Sequence, residues 1–342
     1  MYAPKKVKVL VVDDSLLFRE AVARGLSNDK GIEIVGTASN PFEARDLILE
    51  LEPDVLTLDI EMPRMNGIEF LEKLMPQYPM PVVVVSALSD KVFEALNAGA
   101  VDFVTKSSGL NGLDGFINEL IVKVKIASIA KVSNQRNEYI NNVLNTNTHI
   151  IRKDVIIAIG ASTGGTEAIY DIIHALPKEM PGIVVVQHMP PVFTKMYAQR
   201  LNASCEMEVK EAEHGDEIIS GRVLIAPGDK HLKINKKGNS YIVECFNGDK
   251  VNGHKPSVDV LFNSVVEKVG SGAIGIILTG MGYDGAKGLL NMKQKGAVTI
   301  GQDEKSCVVY GMPKVAYDIG AVLKQVSLKN IPQAIYSIIN KK

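Results

Sequence analysis

The chain has 342 residues, enough for two domains at roughly 100–200 residues each. Its composition, 46% apolar and 23% charged, is that of an ordinary globular protein. The formal net charge of −1, with no Lys/Arg block able to follow a phosphate backbone, argues against nucleic-acid binding. The scattered Cys205, Cys245 and Cys307 have no metal-ligand spacing and read as free thiols. The start, MYAPKKVKVLVVDD, carries two acids straight into a strand, unlike a signal peptide. No apolar run approaches the ~20 residues of a membrane helix. Together these features predict a cytoplasmic protein.

The first third alternates short apolar runs with amphipathic stretches. Strands are predicted at Val7–Val12, Ile32–Thr37, Val55–Leu58, Val82–Val85 and Asp102–Thr105, with helices beginning near Ser15, Pro41, Gly67, Asp90 and Asn111. Runs apolar at every position imply strands covered on both faces, hence a doubly wound parallel sheet. Residues 1–125 form this first domain. A linker over 126–152 is asparagine-rich, and Tyr139, Ile140, Val143 and Leu144 could line one face of a short helix within it.

The second domain, 153–342, restarts the alternation. Val155–Ile159 leads through a glycine-rich turn to a helix from Thr166, and Ile183–Gln187 to a helix from Phe193. Short strands near Glu206–Glu211 and Arg222–Ala226 precede a hairpin over His231–Cys245 that turns at Lys237-Gly238-Asn239. A helix from Ser257, a strand Ala273–Leu278, a second glycine-rich turn, a final strand Ala297–Gly301 and terminal helices complete an α/β unit.

Functional groups in doubly wound sheets gather beyond the carboxyl ends of the strands. In the first domain those ends carry Asp13 and Asp14, Asp59, Ser86 and Lys106. Three clustered carboxylates repel unless a cation such as Mg²⁺ joins them. Lys106 can steady a transferred phosphoryl group, Ser86 can bond one of its oxygens, and Asp59 can be the nucleophile. The competing reading is local, with Asp14 merely capping the helix that follows.

The motifs Val11-Val12-Asp13-Asp14-Ser15, Leu58-Asp59-Ile60-Glu61-Met62-Pro63, Met65-Asn66-Gly67, Ser86-Ala87 and Lys106 resemble the receiver domains of two-component response regulators, which have a flavodoxin-like (βα)5 fold. The resemblance implies phosphorylation of Asp59 by a histidine kinase. It also implies Mg²⁺ held by Asp14, Asp59 and the backbone carbonyl of Glu61, with Asp13 in the same shell, and a switch aromatic at Phe103. Ser107 stands where the family usually has proline.

In the second domain, Gly160-Ala161-Ser162-Thr163-Gly164 fits G-x-S-x-G, a sharp strand-to-helix turn that presents a serine hydroxyl. Such a turn could instead cradle a phosphate or dinucleotide, but Ser162 occupies the place of the fingerprint's second glycine. His188 follows the neighbouring predicted strand, where a general base belongs. The other histidines, His149, His174, His214, His231 and His254, read as surface or structural residues. In the turn Thr279-Gly280-Met281-Gly282-Tyr283-Asp284-Gly285, Asp284 can orient His188, cap the next helix, or do both, and the turn's backbone amides, Met281 among them, can serve as oxyanion donors. The order Ser…His…Asp differs from the Ser…Asp…His of α/β-hydrolases.

These segments, with Gln187-His188-Met189-Pro190, Ala226-Pro227-Gly228 and Pro256-Ser257-Val258-Asp259, resemble the catalytic domain of the chemotaxis protein-glutamate methylesterases. The resemblance implies Ser162 as nucleophile, His188 as base and Asp284 as orienting acid. The implied substrates are glutamate methyl esters on the cytoplasmic domain of methyl-accepting chemoreceptors, with deamidation of receptor glutamines by the same chemistry. It further implies that no metal serves ester hydrolysis, and that the unphosphorylated receiver covers the catalytic mouth. Tyr283 replaces the family's common asparagine. The alternative is a response regulator with a non-catalytic, ligand- or protein-binding output domain.

Overall fold

The computed structural model describes residues 5–87, 91–106, 110–132 and 155–340. The linker helix expected around Tyr139–Leu144 and the departure at Ser107 lie outside them. The chain divides into two compact units, Met1–Arg136 and Asn137–Lys342.

The first unit is a five-stranded parallel sheet in the order β2-β1-β3-β4-β5, built from β1 (Val7–Val12), β2 (Ile32–Ala38), β3 (Val55–Asp59), β4 (Val82–Ser86) and β5 (Asp102–Thr105). Helices α1 (Leu16–Ser27), α2 (Pro41–Leu51), α3 (Gly67–Leu74), α4 (Lys91–Asn97) and α5 (Leu110–Ala127) connect or follow them. This is the flavodoxin-like (βα)5 arrangement read from the sequence. β3 and β4 are buried along their whole length, as continuous apolar runs require. Local chemistry starts the helices. Ser15, not Asp14, is the N-cap of α1, its hydroxyl accepting from Phe18 N–H, while Asn40 and Asn66 cap α2 and α3.

The second unit holds a seven-stranded parallel sheet, β14-β13-β12-β6-β7-β9-β8, and a separate antiparallel hairpin. Its strands are β6 (Ile156–Ala161), β7 (Ile183–Gln187), β8 (Glu208–Glu211), β9 (Arg222–Ile225), β12 (Ala273–Ile277), β13 (Val298–Gln302) and β14 (Lys324–Val326). The hairpin pairs β10 (His231–Lys237) with β11 (Ser240–Phe246), turning through Gly238-Asn239. Helices α6 (Gly165–His174), α7 (Phe193–Ser204), α8 (Val258–Lys268), α9 (Ala286–Gln294), α10 (Met312–Asp318) and α11 (Ile331–Ile339) complete the unit.

Ala297–Gly301 was expected to be the final strand. β14 follows it, pairing parallel with β13 through only three residues, two of them exposed. So short and polar a segment carries no apolar run to mark it.

Strand order fixes where the site lies. β6 is flanked by β7 on one side and β12 on the other, so the direction of winding reverses at β6. A crevice opens beyond the carboxyl ends at such a switch point. Ser162 follows β6, His188 follows β7, and Asp284 lies in the turn after β12.

Candidate active site and phosphoacceptor site

Register brings the three segments to one corner. Ala161 pairs with Gln187 across β6 and β7, and His188 N–H donates to the Ala161 carbonyl at 3.1 Å. On the other side, Ser162 N–H donates to the Thr279 carbonyl at 3.0 Å. The Gln187 amide reaches both the Ser162 carbonyl (3.0 Å) and the His188 carbonyl (3.2 Å), tying the two strand ends together. Gly280 packs so closely on the serine that a Cβ there would sit 2.6 Å from Ser162 Cβ. Only glycine permits that approach.

The glycine-rich turn behaves as its composition suggests. Gly164, at φ 76°, is the N-cap of α6, and Gly165 N–H closes back on the Ser162 carbonyl at 2.7 Å. The helix therefore starts within three residues of the serine, its N-terminal partial positive charge facing the site.

His188 Nε2 lies 2.9 Å from Asp284 Oδ2, and both side chains are almost fully buried. The opposite ring nitrogen, Nδ1, is buried and has no hydrogen-bond partner among the described residues. With Nε2 on the carboxylate, Nδ1 is the nitrogen left to accept a proton. Ser162 Oγ makes no hydrogen bond to the ring in this resting geometry. Such contacts commonly tighten only when substrate is bound.

Asp284 is gripped from several directions. Besides His188, it accepts from Asn252 Nδ2 (2.8 Å), Ser257 Oγ (2.8 Å), Val258 N–H (2.7 Å) and Asp259 N–H (3.3 Å). Burial pushes its carboxyl up, but His188, Asn252 and Ser257 outweigh that and hold it at about 2. The capping alternative is also answered. Asp284 does not cap α9, whose N-cap is Gly285 with no side-chain cap bond. It serves instead the first turn of α8, a helix distant in sequence.

Met281 follows Gly280, the residue packed against the serine, whose N–H donates to the Val309 carbonyl and whose carbonyl accepts from Met312 N–H. Among the described residues no backbone–backbone bond of the turn uses the Met281 N–H. Met281 is 42% exposed and Tyr283 58% exposed, so both present apolar surface in the turn that carries Asp284.

Sequence reasoning missed one wall of this site. The loop before α8 supplies Asn252 and Ser257 to Asp284, and His254, classed above as surface or structural, stacks on His188. Five polar residues within the eight positions before α8, Lys250, Asn252, His254, Lys255 and Ser257, were the available signal.

In the first unit, oxygens of Asp13, Asp14 and Asp59 lie within 4.8 Å of one another. Lys106 Nζ bridges Asp13 (2.8 Å) and Asp59 (2.7 Å), and lies 4.6 Å from the Phe18 ring centroid. Burial pushes the Asp59 carboxyl up to about 6, against the pull of Lys106 and with the charge of Asp13 adding to the rise. The Lys106 ammonium, despite its own burial, is raised by hydrogen bonds to Asp13 and Asp59. This oxygen-only cluster suits a hard divalent cation such as Mg²⁺, which when bound supplies the positive charge three carboxylates lack. Glu61 N–H donates to Asp59 Oδ1 at 3.2 Å, which puts its backbone beside the cluster. The Ser86 hydroxyl is buried with no partner among the described residues. Phe103 is buried on β5.

Comparison with known proteins agrees with both halves. Residues 157–335 match the family described as CheB methylesterase, and residues 9–118 match the response regulator receiver domain. The chain is 57% identical over 339 residues to a protein-glutamate methylesterase/protein-glutamine glutaminase 2 of Syntrophomonas wolfei, covering 98% of this chain and 99% of that one. It is 46% identical over 341 residues to the protein-glutamate methylesterase/protein-glutamine glutaminase of Salmonella typhimurium, covering 98% and 97%. The crystal structure of the Thermotoga maritima CheB methylesterase catalytic domain aligns with a TM-score of 0.53 at 41% identity, over 54% of this chain and 98% of its own. The chain belongs to the CheB methylesterase family and carries a response regulator receiver domain before its catalytic domain.

Proposed function

We propose that the chain is a serine hydrolase that removes methyl esters from glutamate side chains of methyl-accepting chemoreceptors. Ser162 Oγ attacks the ester carbonyl carbon while His188 Nδ1 takes the hydroxyl proton. The Met281 N–H receives the developing oxyanion, a contribution typically of about 3–4 kcal/mol. The imidazolium, paired with Asp284, then gives its proton to the departing methoxide and methanol leaves. Water, deprotonated by the same nitrogen, attacks the acyl-enzyme, releasing glutamate and restoring Ser162. Glutamine side chains enter the same cycle with ammonia as leaving group.

The observation that carries this reading is the His188 ring, fixed by Asp284 at Nε2, its buried Nδ1 without a hydrogen-bond partner among the described residues, on a residue whose backbone N–H bonds the last residue of the serine strand. Methanol release from methylated receptor membranes should be lost on Ser162→Ala. Release at the unaltered rate would overturn the assignment.

The receiver adds control. Asp59 takes a phosphoryl group from a histidine kinase; Asp13, Asp14, Asp59 and the Glu61 backbone carbonyl would hold the Mg²⁺ that offsets the negative charge there. Lys106 and Ser86 contact the phosphoryl oxygens, and Phe103 responds as the switch aromatic. Phosphorylation shifts the population toward the active esterase. The substrate lies on the receptor's cytoplasmic domain, so the enzyme works in the cytoplasm. No described helix is long and apolar enough to cross a membrane. Equal esterase rates with and without a small acyl-phosphate donor would remove the regulatory half of the proposal.

A further inference from the structure

The geometry points to His254 as a positioning residue for the esterase reaction, acting on His188 through its ring face. The inference rests on His188 being the general base.

The His188 and His254 rings stack with centroids 3.7 Å apart and planes 6° from parallel. Asp284 holds the His188 side chain at one point, Nε2, and a single hydrogen bond leaves the ring free to swing about that contact. A second ring laid flat against it removes this freedom, so that Nδ1 keeps one direction through the catalytic cycle. The stack also covers one face of the base from water. When His188 takes the serine proton it becomes a cation, and a neighbouring π face attracts a cation at such a distance.

His254 is itself held firmly. Val251 and His254 form an antiparallel bridge, with backbone bonds of 3.0 and 2.9 Å, across a turn whose Asn252 has the left-handed φ of 53°. The Asn252 side chain on the same turn grips Asp284. One short loop thus contacts the base on its face and the orienting acid on its edge, fixing both relative to each other. Placement at this precision is what general-base catalysis requires.

The test compares four full-length variants on methylated receptor membranes, separating kcat from KM. His254→Ala and His254→Gln, which lack an aromatic face, should each lose at least tenfold in kcat with KM within about twofold. His254→Phe, which keeps the face and loses the ring nitrogens, should restore kcat to within about threefold of the unaltered enzyme. Unchanged kcat in His254→Ala would overturn the inference, as would His254→Phe no better than His254→Gln, or losses confined to KM. His254→Gln with full activity would do the same, since a hydrogen-bonding role would then suffice. His188→Ala is the control for the underlying reading. If it still hydrolyses ester, the base assignment itself fails; if it is inactive while His254→Ala is normal, only the positioning role falls.

Discussion

Asp259 and Asp284 cap each other's helices. Asp284, two residues before α9, accepts from Val258 and Asp259 N–H at the start of α8, and Asp259 in α8 accepts from Gly288 N–H in the first turn of α9. Asn252 Nδ2 bridges the two carboxylates, at 2.7 Å to Asp259 and 2.8 Å to Asp284. The acid that orients the base is therefore also a structural joint between two helices. Two N-terminal helix ends supply the positive potential that keeps paired buried carboxylates tolerable.

From this arrangement, Asp284→Asn should damage both activity and stability. An amide cannot accept on both sides, so one of the N–H or O–H donors now aimed at Asp284 would face an NH₂ group. The His188 ring would also lose the anion that stabilises its protonated form. A fall in kcat of roughly 10³–10⁴ is expected by analogy with other hydrolytic triads, with destabilisation of about 1–3 kcal/mol. Asp259→Asn, which does not touch His188, should leave kcat within roughly tenfold of the unaltered enzyme. Steady-state methanol release and urea denaturation together check the contrast; equal kcat losses in the two variants would contradict it.

The pH dependence of stability follows from the same carboxylate. Asp284 is held at about 2 in the folded state against an ordinary 3.8, so folding favours its ionised form. Its contribution is complete above the unfolded value and is lost as pH falls through 4 toward 2, amounting to about 2 kcal/mol. Urea midpoints of the isolated transition of the catalytic unit, measured between pH 5 and 2, should drop with this slope. In Asp284→Asn the slope over that window should be shallower. A variant with an identical pH profile would show that Asp284 is not the group responsible.

Much of this was readable from the residues because strands buried on both faces announce themselves. Val7–Val12, Asp102–Thr105 and Ile183–Gln187 have the bounds their apolar runs suggested, and the chemistry-bearing residues stand just beyond such runs. What stayed hidden lies where no periodicity exists. Asn252 and His254 sit on a loop shaped by a left-handed residue and a two-residue bridge, and their contacts cross to partners far along the chain. β14 was lost for a different reason, being three residues long and half solvated. Asp284 was legible as an acid at the right strand end, but that it caps α8 depends on a helix packing that spacing alone does not encode.

The loop's role can be separated from the acid's by Asn252→Ala. Removing the bridging amide leaves Asp259 and Asp284 each one donor short while still close to one another. Asp259 is already raised by burial and by the charge of Asp284, so losing a donor should raise it further. Destabilisation of about 1–3 kcal/mol is expected, and it should be partly relieved when Asp259→Asn is added, since the second change removes one of the repelling charges. A double-mutant cycle in urea gives the coupling directly. Strict additivity would mean that Asn252 does not hold the pair together.

In the receiver, Asp59 makes the opposite case. Its folded value, about 6, exceeds the ordinary 3.8, so the folded state binds the extra proton and stability falls as pH rises from about 4 through 6. Above that window the chain bears the cost of an ionised carboxylate packed with Asp13 and Asp14, offset in part by Lys106 and by the Glu61 N–H. A divalent cation joining the cluster should remove that cost and compete little at low pH, where a proton already occupies Asp59. Millimolar Mg²⁺ should therefore raise the receiver's Tm more at pH 8 than at pH 5. Asp59→Asn should flatten both the pH dependence and the difference between the two Mg²⁺ responses, because the amide neither titrates nor repels. Equal Mg²⁺ stabilisation at pH 5 and pH 8 in the unaltered chain would place the ion away from these carboxylates.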